Sequence, residues 1–202
     1  MIDTRLRHQL QPLFDRLGKR LHQAGLTPCQ ITVAAFLTGL VAGFLISRNW
    51  MGPALALLWL SGLLDVLDGT VARVSKNTST TGALMDLILD RMVEAAVILG
   101  FYALTPDHAL AHLLFFVGMI FNFSTFLAAG ALFPNTGEKS IHYDPGILER
   151  TETFILFTLM ILWPGGRYWL LMAFNAAMFL TGTLRFKRLL RREKSASTTG
   201  EE

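Results

Sequence analysis

Four aspartates, Asp65, Asp68, Asp86 and Asp90, stand in a part of the chain otherwise apolar enough to lie in a membrane. The run reads Asp65-Val-Leu-Asp68-Gly69-Thr-Val-Ala72-Arg73, then eight residues, then Gly82-Ala-Leu-Met-Asp86-Leu-Ile-Leu-Asp90. One Asp at the centre of an inserted helix costs about 2.5–3.5 kcal/mol, so four uncompensated would cost on the order of ten. Acids at that depth need a partner for their charge, which makes them functional candidates. Asp65 and Asp68 are spaced i, i+3 and Asp86 and Asp90 i, i+4, so each pair shares a helix face. Residues 74–81 are mostly polar (Ser75, Lys76, Asn77, Thr78, Ser79, Thr80) and read as a tight connection between antiparallel helices. Folded near Asn77, the chain brings Asp65 level with Asp90, Asp68 with Asp86, and Ala72 with Gly82, so small residues are expected where the helices approach. With helix ends near Val74 and Thr81, the outer pair lies about 8–9 Å deep and the inner about 13–14 Å, at ~1.5 Å per residue. Four convergent carboxylates make an all-oxygen site for hard cations, Mg²⁺ or Mn²⁺. Two such ions held close together suit phosphoryl transfer.

The neighbours fit that chemistry. Gly69 leaves room for a ligand beside Asp68. Arg73, one turn on, can fork onto a phosphate or pair with an aspartate. The hydroxyls of Ser75, Thr78, Ser79, Thr80 and Thr81 line the mouth. A purely structural reading, helix pairing through buried ion pairs, finds only Arg73, Lys76 and Arg91 to neutralise four acids. Arg91 and Glu94, at i, i+3, are expected to pair with one another. A divalent-cation transporter is the alternative outside enzymes, but no second set of acids continues across the membrane. A di-iron bundle would need Glu-x-x-His ligands, which the chain lacks.

The elements that must position these residues are membrane helices. Of the 202 residues, 52% are hydrophobic and only 16% charged, and the mean hydropathy is +0.44. The expected fold is all-α integral membrane, with six transmembrane helices preceded by an N-terminal amphipathic juxtamembrane helix. Residues 1–29 carry Arg5, Arg7, Arg16, Lys19 and Arg20, with Leu6, Leu10, Leu13, Phe14, Leu17 and Leu21 at helical spacing. They read as a helix on the membrane surface that Pro12 can interrupt. Apolar spans are expected at Ile31–Ser47, Gly52–Val74, Gly82–Leu104, Leu110–Phe133, Thr153–Trp163 (starting near Gly146) and Tyr168–Leu184. One domain covers 1–194, and 195–202 reads as a disordered tail. The single cysteine, Cys29, excludes an intrachain disulfide. The net charge of +3 and the absence of any nucleic-acid motif argue against nucleic-acid binding. Of the 18 Lys and Arg, only Arg48 and Arg167 fall in loops on the side opposite the termini. That bias places both termini and the mouth of the aspartate pocket in the cytoplasm of a multi-pass membrane protein. The basic cluster from Arg185 to Lys194 reads as topology signal and headgroup contact.

The pattern D-x2-D-G-x2-A-R-x8-G-x3-D-x3-D, present here at every fixed position, resembles the signature of the CDP-alcohol phosphatidyltransferases. The resemblance implies that Asp65, Asp68 and Asp86 bind metal, with two ions, Mg²⁺ or Mn²⁺. It makes Asp90 the general base, with a share in the second ion. It implies attack by an acceptor hydroxyl on the lipid-side phosphorus of CDP-diacylglycerol, with release of CMP, in phospholipid biosynthesis. CDP-alcohol contacts are expected at Gly69, Ala72, Arg73, Ser79, Gly82, Gln30 and Thr32. The last two belong to Thr27-Pro28-Cys29-Gln30-Ile31-Thr32, which is similar to the family's Thr-Pro-Asn-x-x-Thr segment, with Cys29 in place of Asn. Gly146-Ile-Leu-Glu149-Arg150 looks like a segment of phosphatidylinositol phosphate synthases and archaeal relatives, near which a phosphorylated acceptor binds. Lys139 and Arg150 are the acceptor candidates, and a phosphorylated polyol such as inositol phosphate the expected acceptor. The phosphatidylglycerophosphate synthase type, using glycerol phosphate, is the alternative. Such enzymes are often homodimers, so a second copy and membrane lipids are the expected partners.

Overall fold

The structure, a computed structural model, describes the backbone of residues 2–76, 78–132 and 150–198, with side chains over 11–76, 78–132 and 151–191. Described residues form helices and no strands. They are α1 (Ile2–Gln23), α2 (Pro28–Ser47), α3 (Met51–Val74), α4 (Thr80–Leu104), α5 (Ala109–Leu132), α6 (Arg150–Leu162) and α7 (Arg167–Thr198), with 3-10 turns at Pro106–His108 and Pro164–Gly166. α7 thus enters the stretch expected as a tail, and 199–202 lie outside the described residues.

Among the described residues, four segments are long and apolar enough to cross a membrane by length and composition: Pro28–Ser47, Met51–Val74, Pro106–Leu132 and Pro164–Arg191. α4 has the length, 25 residues, but Asp86, Asp90, Arg91 and Glu94 lower its apolar content. Thr151–Leu162 is apolar and shorter. A helix of about 20 residues, at 1.5 Å each, matches the hydrocarbon thickness of a bilayer.

The chain divides into two compact units, Met1–Asp107 and His108–Glu202. In the first, α2 packs along both α3 and α4, and α1 packs on α3. The face of α2 that allows this is made of small residues: Ala35, Gly39, Ala42 and Gly43 are all buried. A Cβ on Gly43 would lie 2.6 Å from the Ala96 carbonyl oxygen, and Gly100 of α4 faces the Gly43 carbonyl. Backbone therefore meets backbone, the arrangement that small residues permit between membrane helices. This small-residue seam lies between α2 and α4, and α2 supplies the face on which both aspartate-bearing helices pack. Ser61 of α3, fully buried, donates to the Ala35 carbonyl at 2.7 Å.

Helix ends follow local chemistry. α1 passes Pro12 as one helix and stops at Gly25, whose φ of 81° suits glycine. Gly25 N–H donates to His22 O and Leu26 N–H to Leu21 O, the paired bonds of a Schellman stop. Asn49, at φ 60°, closes α2 in the same way. α2 opens with a capping box: Thr27 Oγ1 accepts from Gln30 N–H, and Gln30 Oε1 accepts from Thr27 N–H.

In the second unit α5 and α6 pack on α7. Phe115, Phe157 and Phe174 cluster, with Phe115 and Phe174 stacked at 6.0 Å. Polar groups tie the helices: Asn175 Nδ2 donates to Ala111 O at 2.8 Å, and Asn122 Nδ2 to Met178 O at 2.7 Å. Arg185 departs from the expected surface cluster. It is buried, donates to Asn122 O at 3.1 Å and lies over the Phe126 ring, whereas Lys187, Arg188 and Arg191 are exposed.

Candidate active site

α3 and α4 carry the acids, and the i, i+3 spacing sets Asp65 and Asp68 on one face of α3. Carboxylate oxygens of Asp65, Asp68 and Asp86 lie within 4.8 Å of one another. Asp68 is buried and the other two half-buried. Asp90, one turn beyond Asp86 and half-buried, is outside that three-residue group. Three of the four expected carboxylates are thus brought together. Like charges at such separations repel by about 3–4 kcal/mol per pair at an effective dielectric of ~20, so the cluster favours positive charge at its centre. Opposite ligands of an octahedral Mg²⁺ stand about 4 Å apart, so this donor set fits a hard divalent cation. A cation there would neutralise phosphate oxygens and stabilise charge in an in-line displacement.

What holds the acids in place is partly unforeseen. Thr32 of α2, buried, donates to Asp68 Oδ2 at 2.6 Å. Its backward contact to Pro28 O is longer, 3.0 Å. Gln30, expected at the CDP-alcohol, uses its amide oxygen in the capping box and is exposed. Arg73 is exposed, and its Nη2 donates to Thr70 Oγ1 at 3.0 Å. Thr70 in turn donates to Val66 O at 2.9 Å and is almost fully buried. A Cβ on Gly18 of α1 would lie 2.8 Å from Thr70 Cγ2, so α1 packs directly behind the residue that holds Arg73. Thr70 carried no signal of its own, because it sits at a variable position of the motif.

Ser79 caps α4 and accepts from Gly82 N–H at 3.0 Å, which ties these two expected contact residues to each other. Gly69 and Ala72 are half-buried beside Asp68 and Arg73. Arg91 and Glu94 form the expected pair, 2.9 Å apart. All these residues belong to the first compact unit. Lys139 lies outside the described residues, and Arg150 opens α6 with only its backbone described.

A sequence model described as CDP-alcohol phosphatidyltransferase matches residues 25–183. The inner membrane protein YnjF of Escherichia coli K12 is 35% identical over 172 residues, covering 81% of this chain and 83% of that protein. An archaetidylinositol phosphate synthase from Pyrococcus horikoshii is 31% identical over 97 residues, covering 48% of this chain and 52% of that one, about half its length. A Mycobacteroides abscessus phosphatidylinositol phosphate synthase is 32% identical over 88 residues, 42% of this chain and 39% of the relative. Among solved structures, Mycobacterium tuberculosis phosphatidylinositol phosphate synthase with CDP-DAG bound superposes with a TM-score of 0.74 at 21% identity, over 87% of this chain and 92% of that one. Its complex with manganese and citrate gives 0.73, also at 21% identity, over 86% and 87%. At this identity the structures speak for the fold. The sequence match itself runs from the turn before α2 to the middle of α7. The likeness is therefore to a whole fold and not to a borrowed motif, and the chain belongs to the CDP-alcohol phosphatidyltransferase family.

Proposed function

We propose that this integral membrane transferase moves the phosphatidyl group of CDP-diacylglycerol to a hydroxyl of a phosphorylated polyol, inositol phosphate being the leading candidate. The observation that carries the reading is the cluster of Asp65, Asp68 and Asp86 oxygens within 4.8 Å, inside the complete family motif. The acceptor rests on relatives named phosphatidylinositol phosphate synthase and archaetidylinositol phosphate synthase.

In this reading Asp65, Asp68 and Asp86 hold two divalent cations, Mg²⁺ or Mn²⁺, with Asp90 sharing the second. The ions supply charge neutralisation at the phosphates. Gly69, Ala72, Arg73, Ser79, Gly82 and Gln30 border the CDP portion, and Arg73 forks onto a phosphate. Asp90 takes the proton of the acceptor hydroxyl. That oxygen bonds to the lipid-side phosphorus while the bond from this phosphorus to the bridging oxygen breaks, and CMP leaves with the bridging oxygen. Lys139 and Arg150 bind the acceptor's phosphate. Six spans, with α1 lying along the membrane surface, put the pocket and both termini on the cytoplasmic side, where a water-soluble acceptor is at hand. A homodimer is part of this proposal.

The test is CMP release by purified protein with Mg²⁺ or Mn²⁺ and CDP-diacylglycerol, across inositol phosphate, inositol, glycerol phosphate, serine and glycerol. Release is expected with inositol phosphate, and Asp86→Asn should lower it by at least about 100-fold, the upper range for lost metal-site contacts. Release with glycerol phosphate alone would move the acceptor to the phosphatidylglycerophosphate type. No release with any acceptor, together with metal uptake into vesicles, would replace the enzyme with a transporter.

A further inference from the structure

We infer that Thr32 is a positioning residue for the metal site, acting through Asp68. The inference rests on the reading of Asp65, Asp68 and Asp86 as cation ligands and gives Thr32 a different task from nucleotide contact. A helical threonine ordinarily turns its hydroxyl back to the carbonyl four residues earlier. Thr32 has that acceptor, Pro28 O, at 3.0 Å, yet its oxygen lies 2.6 Å from Asp68 Oδ2. A hydroxyl has one proton to give, and the closer acceptor, Asp68 Oδ2, takes it. Both residues are buried, Thr32 at 7% exposure and Asp68 at 7%, so little water competes.

The contact spans two helices and 36 residues of sequence, and the surrounding structure fixes it at both ends. The Thr27–Gln30 capping box sets the first turn of α2, placing Thr32 one turn in. Ser61 to Ala35 O, at 2.7 Å, pins α2 to α3 two turns before Asp68. Thr32 thus fixes the rotamer of the most buried carboxylate of the cluster, and the oxygens that face Asp65 and Asp86 are set before any cation arrives. A group of this kind changes metal affinity by about 10–100-fold when removed.

The experiment is Mn²⁺ binding, followed by electron paramagnetic resonance on purified protein in nanodiscs without lipid donor, for wild type, Thr32→Val, Thr32→Ser and Asp68→Asn. Thr32→Val keeps the shape and loses the donor. It should weaken Mn²⁺ binding by about 10–100-fold, raise the Mn²⁺ concentration needed for CMP release, and leave KM for CDP-diacylglycerol at saturating Mn²⁺ unchanged. Thr32→Ser should bind Mn²⁺ like wild type. In the Asp68→Asn background, Thr32→Val should add no further loss. Unchanged Mn²⁺ binding in Thr32→Val, or a raised KM for the donor alone, would overturn the inference. If wild type itself bound no Mn²⁺, the reading of the three aspartates would fail first. Should Thr32→Val not fold, Thr32→Ala serves in its place under the same criteria.

Discussion

Gly69 follows Asp68 directly and precedes Arg73 by one turn, and a Cβ placed on it would meet only Arg73 Nη1, at an ordinary contact distance of 3.5 Å. Sterically, then, the fold accepts alanine there. Helix propensity even favours it, by about 1 kcal/mol. If the open space beside Asp68 is kept for the donor, Gly69→Ala should match or slightly exceed wild type in Tm while CMP release falls by about tenfold, some 1.4 kcal/mol of barrier. A variant that is both stable and fully active would mean that the space serves no ligand. At this scale the sequence was informative wherever residue type and near spacing decide the outcome. The grouping of Asp65, Asp68 and Asp86 and the Arg91–Glu94 pair were readable from i, i+3 and mirrored positions. The Thr32–Asp68 bond was not, because it joins residues on two helices whose rotation about each other depends on the whole α2 face. Thr70 is silent in the sequence for a similar reason: its value lies in a partner on α3 and another on α1.

Helices carry the next level of constraint, and α2 is the element on which the site depends. It has no acid, yet α3 and α4 both pack along it, so the separation of Asp68 from Asp86 is set by two seams. In the α2–α4 seam, backbone meets backbone where Gly43 faces the Ala96 carbonyl. Neither backbone can give way to a side chain. Gly43→Val should cost about 1–3 kcal/mol through overpacking and push α4, with Asp86, away from α3. Lowered Tm together with lost CMP release is the expected result. Gly52→Ala, at a position with nothing within 4 Å of the added Cβ, should change neither and serves as the control. Full activity in Gly43→Val would show that the seam does not set the carboxylate separation. Hydropathy placed the apolar helices well but could not rank their contacts. In a bilayer every helix face can be apolar, and the signal for proximity is small residues at four-residue spacing. Ala35, Gly39 and Gly43 have that spacing, a pattern legible in the sequence. α4 shows the converse: its charges remove it from the helices that qualify as spans by composition, although its length suffices and its acids are part of the site.

For the whole molecule, direction across the membrane is directly testable, because the chain contains its own reporter. Cys29 is the single cysteine; it is exposed and sits in the first turn of α2, its Sγ 3.7 Å from Met85 Sδ, next to Asp86 in sequence. A label on Cys29 therefore marks the face on which the aspartate pocket opens. In the proposed orientation, which leaves Arg48 and Arg167 alone on the far side, that face is the cytoplasmic one. A membrane-impermeant maleimide should then fail to label Cys29 in intact cells and label it in inverted vesicles. In a Cys29→Ser background, Arg48→Cys should behave oppositely, since nearly the whole 20-residue length of α2, just under about 30 Å, separates the two positions. Both sites labelled from the same side would mean that α2 does not cross. A full reversal would put the pocket outside, away from any supply of a phosphorylated, water-soluble acceptor, and would count against the proposed reaction as strongly as against the topology. The orientation is thus bound to the chemistry: a transferase that takes its lipid donor from the bilayer and its second substrate from water must open where that substrate is made.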